Sequence, residues 1–167
     1  MSLAGIDFSQ VSDRELVILF QRMLEQKIHG ISFSPYVDGQ SPGTEISEQQ
    51  IRQRLSIIEP SIDWIRSFSC TEGNQAIPGI AQQRGLNTMV GVWLDDDLAN
   101  NEIEITNAIA VAAAGQANIL AVGNEVLLRG DLTEDQLIDY IARVKRAVPK
   151  VEVGYVDAYF KFVDHPG

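Results

Sequence analysis

The stretch ILAVGNEVLLRG, Ile119–Gly130, ends an apolar run in an amide and a carboxylate, Asn124 and Glu125, set side by side. An ionised Glu at the end of a buried segment needs a compensating partner or a chemical task. Two readings stand here: a helix cap or ion-paired strand end, and a working acid. Arg66, inside DWIRSFSC, is a second charge within an apolar run. If buried it requires a carboxylate, either in a structural ion pair or beside a site. Tyr36, Trp93, Tyr155 and Tyr159 fall near the ends of similar runs. Rings, amides and carboxylates gathered together suit a sugar site, because pyranose faces stack on rings and hydroxyls pair with Asn, Asp, Glu and Arg. Trp93 and Phe68 fit a core position at least as well as a platform. Asp95–Asp97 reads as a solvated turn or N-cap before a metal site, and His29 as structural. Cys70 is the single cysteine, so no disulfide forms within the chain and no Cys-based metal site is expected. It reads as a small buried apolar residue.

These residues need elements to hold them. Ser12 and Glu15 have capping-box spacing, with Leu16, Phe20 and Met23 on one helical face. HGISFSPY reads as a strand, followed by the polar loop VDGQSPGTEI. Ser47 and Gln50 form a second capping-box pair ahead of Ile51, Leu55 and Ile58. DWIRSFSC is a strand, NQAIPGIAQQRG a short helix stopped at Gly85, and NTMVGVWL a third strand. NNEIEITNAIAVAAAG is a helix whose IEI start alternates like a strand. ANILAVGNEV follows as a strand. Thr133 and Gln136 then cap a helix with Leu137, Ile141, Val144 and Val148 on one face, ended by Pro149. VEVGYVDAYF reads as a fifth strand. The order is a helix over residues 1–27, then strands and helices alternating through 28–167 in one domain. The strands read as continuous apolar runs, as in a parallel sheet covered by helices.

Composition narrows the partners. The chain has 167 residues, 45% of them hydrophobic, and a net charge of -10. An acidic surface repels phosphate backbones, so no nucleic acid is expected. The densest basic run, RVKR at Arg143–Arg146, reads as a solvated helix face. Neither G-x-G-x-x-G nor G-x-x-x-x-G-K-[ST] occurs, and no cofactor or metal is expected. No run approaches the roughly 18 apolar residues of a membrane span. The opening MSLAGIDFSQ lacks the basic and apolar regions of a leader, so no signal peptide is expected in this form and no compartment is indicated.

Two architectures fit this order: a five-stranded doubly wound sheet, or the first part of a (β/α)8 barrel, which typically takes about 250 residues. In both, chemistry gathers at the carboxyl ends of the strands. At VGNEVLLRG the sequence resembles glycoside hydrolase family 17, the β-1,3-glucanase and glucan transglycosylase group of the Asn-Glu barrel clan, and most of all its bacterial members. GISFSPYVDGQSP, IRSFS, VGVWLDDDLANNEIEI and VGYVDAYF extend the resemblance, in the family's order, over nearly all of the chain after about residue 28.

The resemblance implies an α/β fold of (β/α)8 type, here roughly the first four βα units plus a fifth strand. It implies retaining chemistry on β-1,3-linked glucan. Glu125 would be the general acid/base, protonating the departing oxygen and then deprotonating water or an acceptor sugar; partial desolvation would help it hold its proton. Asn124 would hold the sugar 2-hydroxyl. Tyr36 and Arg66 match positions lining the sugar pocket; Trp93 and Tyr155 join them as substrate-binding candidates. The family's nucleophile lies at the end of a later strand. Asp157 is the nearest acid here and is not assigned that role. The sequence therefore predicts little or no turnover by this chain alone. It also predicts that a C-terminal half or a second copy covers the open sheet edges. A catalytically incomplete carbohydrate-binding domain is the first alternative, and a flavodoxin-like five-stranded domain the second.

Overall fold

The computed structural model describes residues 7–165; the start of the stretch read for a leader lies outside them. Five strands form one parallel sheet: β1 (Ile28–Ser32), β2 (Ile62–Arg66), β3 (Asn87–Val92), β4 (Ile119–Asn124) and β5 (Glu152–Val156). Helix α1 (Asp13–Glu25) precedes them. The crossovers carry α2 (Glu48–Ile58), α3 (Ile77–Gln83), α4 (Leu98–Ala113), the short α5 (Val126–Arg129) and α6 (Glu134–Ala147); α7 (Tyr159–Asp164) follows β5. The strand order is β1-β2-β3-β4-β5. A flavodoxin-like sheet would run 2-1-3-4-5, so that reading falls. Sequential parallel order is the pattern of a (β/α)8 barrel, and this chain forms its first five strands.

The strands are not apolar on both faces, as the sequence suggested. Register aligns Ile31, Ile65 and Thr88, and likewise Val90 with Leu120 and Val92 with Val122. Ile65, Thr88, Val90, Val92, Leu120 and Val122 are all buried. The alternate positions carry Ser32, Arg66, Met89, Gly91, Ala121 and Gly154, a small and polar set. The core lies between the sheet and its helices in two clusters. Ile51, Leu55, Ile62, Ile65, Ile77 and Ile80 form one beneath α2 and α3. Val90, Leu120, Val122, Ile105, Leu137 and Val144 anchor the other beneath α4 and α6.

Local signals account for most boundaries. The reciprocal capping boxes at Ser12/Glu15 and Thr133/Gln136 form as read. At Ser47 only half forms: its side chain accepts from Gln50 N, but the Gln50 amide turns to Pro35 O at 2.9 Å and Gln40 Oε1 at 2.6 Å, pinning the β1–α2 loop. The ambiguous IEI segment is helix throughout, because Asp97 caps α4 earlier by accepting from Ala99 N and Asn100 N. The fifth strand stops at Val156 instead of continuing through DAYF. There Asp157 accepts from Ala158 N at 2.7 Å and the chain turns into α7. Among the described residues no helix is long and apolar enough to cross a membrane.

Candidate active site

At the end of β4 the backbone departs from regular strand geometry. Gly123 has φ +89°, and the pairing with β5 shifts register between Ala121 and Asn124. A Cβ at Gly123 would stand 3.0–3.2 Å from Val126, Tyr155 and Leu137, so the turn needs both glycine's φ and its lack of a side chain. Glu125 follows in the left-handed region, φ 54° and ψ 28°, a conformation disfavoured for a residue with a Cβ. Its N–H donates to Val156 O at 2.8 Å, which ties the strained turn to β5. Glu125 takes the N-cap position of α5, yet its side chain makes no capping bond. It is exposed among the described residues, not partly desolvated as the sequence reading supposed, because neither α5 nor β5 folds over it.

Asn124 is held from two sides. Arg66 Nη2 donates to its Oδ1. Arg129 Nη1 donates to its carbonyl, while Arg129 Nη2 donates to Leu94 O at 2.8 Å. Arg66 therefore has no ion-pair partner among the described residues and sits beside the Asn-Glu turn. Burial draws its pKa down, and the neighbouring charge of Glu125 opposes that. The guanidinium remains charged.

The same two arginines lead to a cleft. Arg66 lies 4.9 Å from the Phe68 ring centroid, and Arg129 lies 4.5 Å from that of Trp93. Phe68 and Trp93, with Tyr36, Pro42, Asn74 and Asp95, line a cavity of about 410 Å³ at the carboxyl ends of β1, β2 and β3. Both rings thus serve as wall and not as core. The Trp93 indole N–H donates to Asp95 Oδ2 at 3.1 Å, and Asp95 Oδ1 accepts from Asp97 N at 2.9 Å. These bonds, with the capping bonds of Asp97, occupy the acidic run that had a metal reading. One cleft rim is braced by Glu72, whose carboxylate accepts from Gly43 N at 2.7 Å.

The candidate residues fall into two groups. Glu125, Asn124 and Arg66 meet at the end of β4; Tyr36 and Trp93 line the adjoining cleft. Tyr155 lines neither the cleft nor the Arg66–Asn124 contact; its ring packs beneath the Gly123 turn and against the core cluster under α6. Its hydroxyl donates to Asp157 and accepts from Leu127 N at 3.0 Å. Burial, reinforced by Asp157, pushes its phenol pKa up. Asp157 also accepts from Leu127 N and Leu128 N, at 3.2 and 3.3 Å, so it serves the start of α5.

Sequence reasoning missed the polar face of α4. Asn101, Glu104 and Asn107 are spaced three apart within the apolar stripe of Ile105, Ala108 and Val111. Asn101 makes two bonds to the Asp95 backbone, Oδ1 accepting at 3.0 Å and Nδ2 donating at 2.8 Å. Asn107 donates to Cys70 O at 2.8 Å. Glu104, fully buried, binds both strand-end loops. Polar residues at helical spacing on an apolar face were the available signal. Cys70 is buried as expected, and burial raises its thiol pKa well above the ordinary value, leaving it inert.

A curated glucan 1,3-beta-glucosidase of Arthroderma benhamiae is 28% identical over 98 residues, 57% of this chain and 31% of that protein. The crystal structure of the glycoside hydrolase family 17 beta-1,3-glucanosyltransferase from Rhizomucor miehei superimposes with TM-score 0.68 at 26% identity, over 83% of this chain and 52% of that one. An active-site mutant of the same enzyme, in complex with laminaritriose, gives TM-score 0.67 with the same identity and coverage. The chain thus spans about half the length of these solved structures and less of the curated relative. Residues 30–166 match the family described as the BtgE/BtgC glycoside hydrolase domain, and the chain belongs to that family.

Proposed function

We propose that this chain carries the sugar cleft and the proton-donating carboxyl of a retaining glycosidase or transglycosylase acting on β-1,3-linked glucan. One observation carries the reading. The Asn124–Glu125 turn and an aromatic-walled cleft are joined by two arginines that touch both. A glucan lying in the cleft would stack on Trp93, Phe68 or Tyr36 and meet Asn124 and Arg66 where its chain reaches the β4 end. Glu125 is the acid whose carboxyl is uncommitted at that point. It would protonate the leaving glycosidic oxygen and then take a proton from water or an acceptor sugar.

Retention requires a second carboxylate about 5–5.5 Å from the first. Asp157 and Asp95 are each engaged in holding backbone or indole N–H groups. The described residues therefore favour binding without turnover as the behaviour of this chain by itself. The test is calorimetric titration with laminaritriose beside an assay on laminarin. The wild type is expected to bind and to turn over little. Glu125→Gln should still bind, and Trp93→Ala should weaken binding. Absence of binding by the wild type would remove the glucan reading. Robust turnover that disappears in Glu125→Gln would show that a nucleophile is present after all.

A further inference from the structure

Glu104 is the one charged side chain buried among the described residues. It belongs to no ion pair in the described structure and the chemistry above does not use it. Its two oxygens divide four donors between them. Oε1 accepts from Ser69 Oγ at 2.5 Å and Thr71 Oγ1 at 2.8 Å. Oε2 accepts from Cys70 N at 2.7 Å and Trp93 N at 3.2 Å. Three of these donors lie on the loop after β2, which carries Phe68. The fourth is the backbone of Trp93, at the end of β3. One side chain of α4 thus links the loops that carry the two aromatic walls of the cleft.

We propose that Glu104 is the positioning residue of the cleft, setting the separation of Phe68 and Trp93 through its reach and its four accepted hydrogen bonds, and doing so without its charge. The chemistry of the donors makes this specific. Cys70 N and Trp93 N can only donate, so the atom facing them must be an acceptor. The Ser69 and Thr71 hydroxyls can donate or accept, so the atom facing them is free to be either. A glutamine satisfies the whole set, with its carbonyl toward the two N–H groups and its NH₂ toward the hydroxyls. An aspartate keeps the charge but withdraws it by one methylene and cannot reach both loops.

The experiment crosses charge against reach. Glu104→Asp and Glu104→Gln are made in the full chain, alone and with Trp64→Phe, which leaves Trp93 as the single tryptophan. Acrylamide quenching reports how firmly Trp93 is held, and laminaritriose titration reports the cleft; only the second readout rests on the glucan reading above. Glu104→Gln should match the wild type in both. Glu104→Asp should raise the quenching constant and weaken laminaritriose binding about tenfold, the scale of one lost hydrogen-bonded contact. Should Glu104→Asp fail to fold, Ser69→Ala with Thr71→Val replaces it and should raise quenching likewise. Loss of Trp93 protection in Glu104→Gln, or its retention in Glu104→Asp and in the double variant, overturns the proposal. A wild type that ignores laminaritriose removes the glucan reading while quenching still decides the role of Glu104.

Discussion

Arg66 shows how much work one side chain does here. It donates to Asn124, lies over Phe68, and leaves its buried Nε without an acceptor among the described residues. A lysine supplies charge but no planar fork and no stacking surface. Arg66→Lys is therefore expected to lower laminaritriose affinity about tenfold, the effect of one broken charge-assisted bond near the sugar, with unchanged affinity in the titration contradicting this placement. Glu104 is the site residue the sequence hid, because its IEI setting alternates like a strand and so masked the helical face it shares with Asn101. Burial raises its carboxyl above the ordinary 4.5, outweighing its four hydrogen bonds. Cys70, held protonated by burial, is the titratable group in contact with it. In the window just above 4.5 the fold retains a proton that the unfolded chain has released, so this contribution to stability declines as pH rises. Glutamine has no such proton. The melting temperature of Glu104→Gln relative to wild type should climb as pH rises above 4.5; a constant difference would show that Glu104 ionises as freely in the fold as outside it.

Among the elements, helix starts were the most legible feature, since a cap is a local bargain between one side chain and the first N–H groups. Ser12 and Thr133 do what their spacing suggested, and Asp97 takes the N-cap role that was one reading of its acidic run. The end of β5 was not legible. Tyr159 and Phe160 suit a strand by type. What bends the chain is Asp157, whose partners include Leu127 N and Leu128 N, 30 and 29 residues earlier. Close strand contacts were hidden for the same reason. A Cβ on Gly91 would stand 2.3 Å from Ser67 O and 2.6 Å from Phe68 Cα. Those are backbone atoms, so β2 and β3 would have to separate just below the cleft. Gly91→Ala should destabilise the fold by about 1–3 kcal/mol and loosen sugar binding with it. Gly154, on the same face of β5, has no such neighbour within 4 Å, and Gly154→Ala should stay within about 0.5 kcal/mol of wild type. Equal denaturation midpoints for the two variants would contradict the close approach at Gly91.

For the molecule as a whole, periodicity could not choose between the two architectures, because both repeat the same βα unit. The choice is which edge each new strand joins, and no local residue encodes that. The helix α1 marks the other limit of local reading. Leu16, Phe20 and Met23 share one helical face, as their spacing predicts, yet α1 buries no residue. Val17 is 56% and Phe20 61% exposed, and with Phe8, Leu19 and Met23 they line an apolar groove. Residues this exposed contribute little to stability, so Val17→Gln with Phe20→Gln should leave the melting temperature nearly unchanged. The groove should instead be visible to an anionic apolar dye. The net charge of -10 repels such a dye at low ionic strength. Salt near 0.1 M shortens the reach of that repulsion to about 10 Å, while the apolar contact is untouched or strengthened. Dye fluorescence of the wild type should therefore rise with salt, and that of the double variant should rise much less. Equal salt curves for the two proteins would place the dye elsewhere, with α7 the next candidate, since Tyr159 and Val163 are 82% and 73% exposed there.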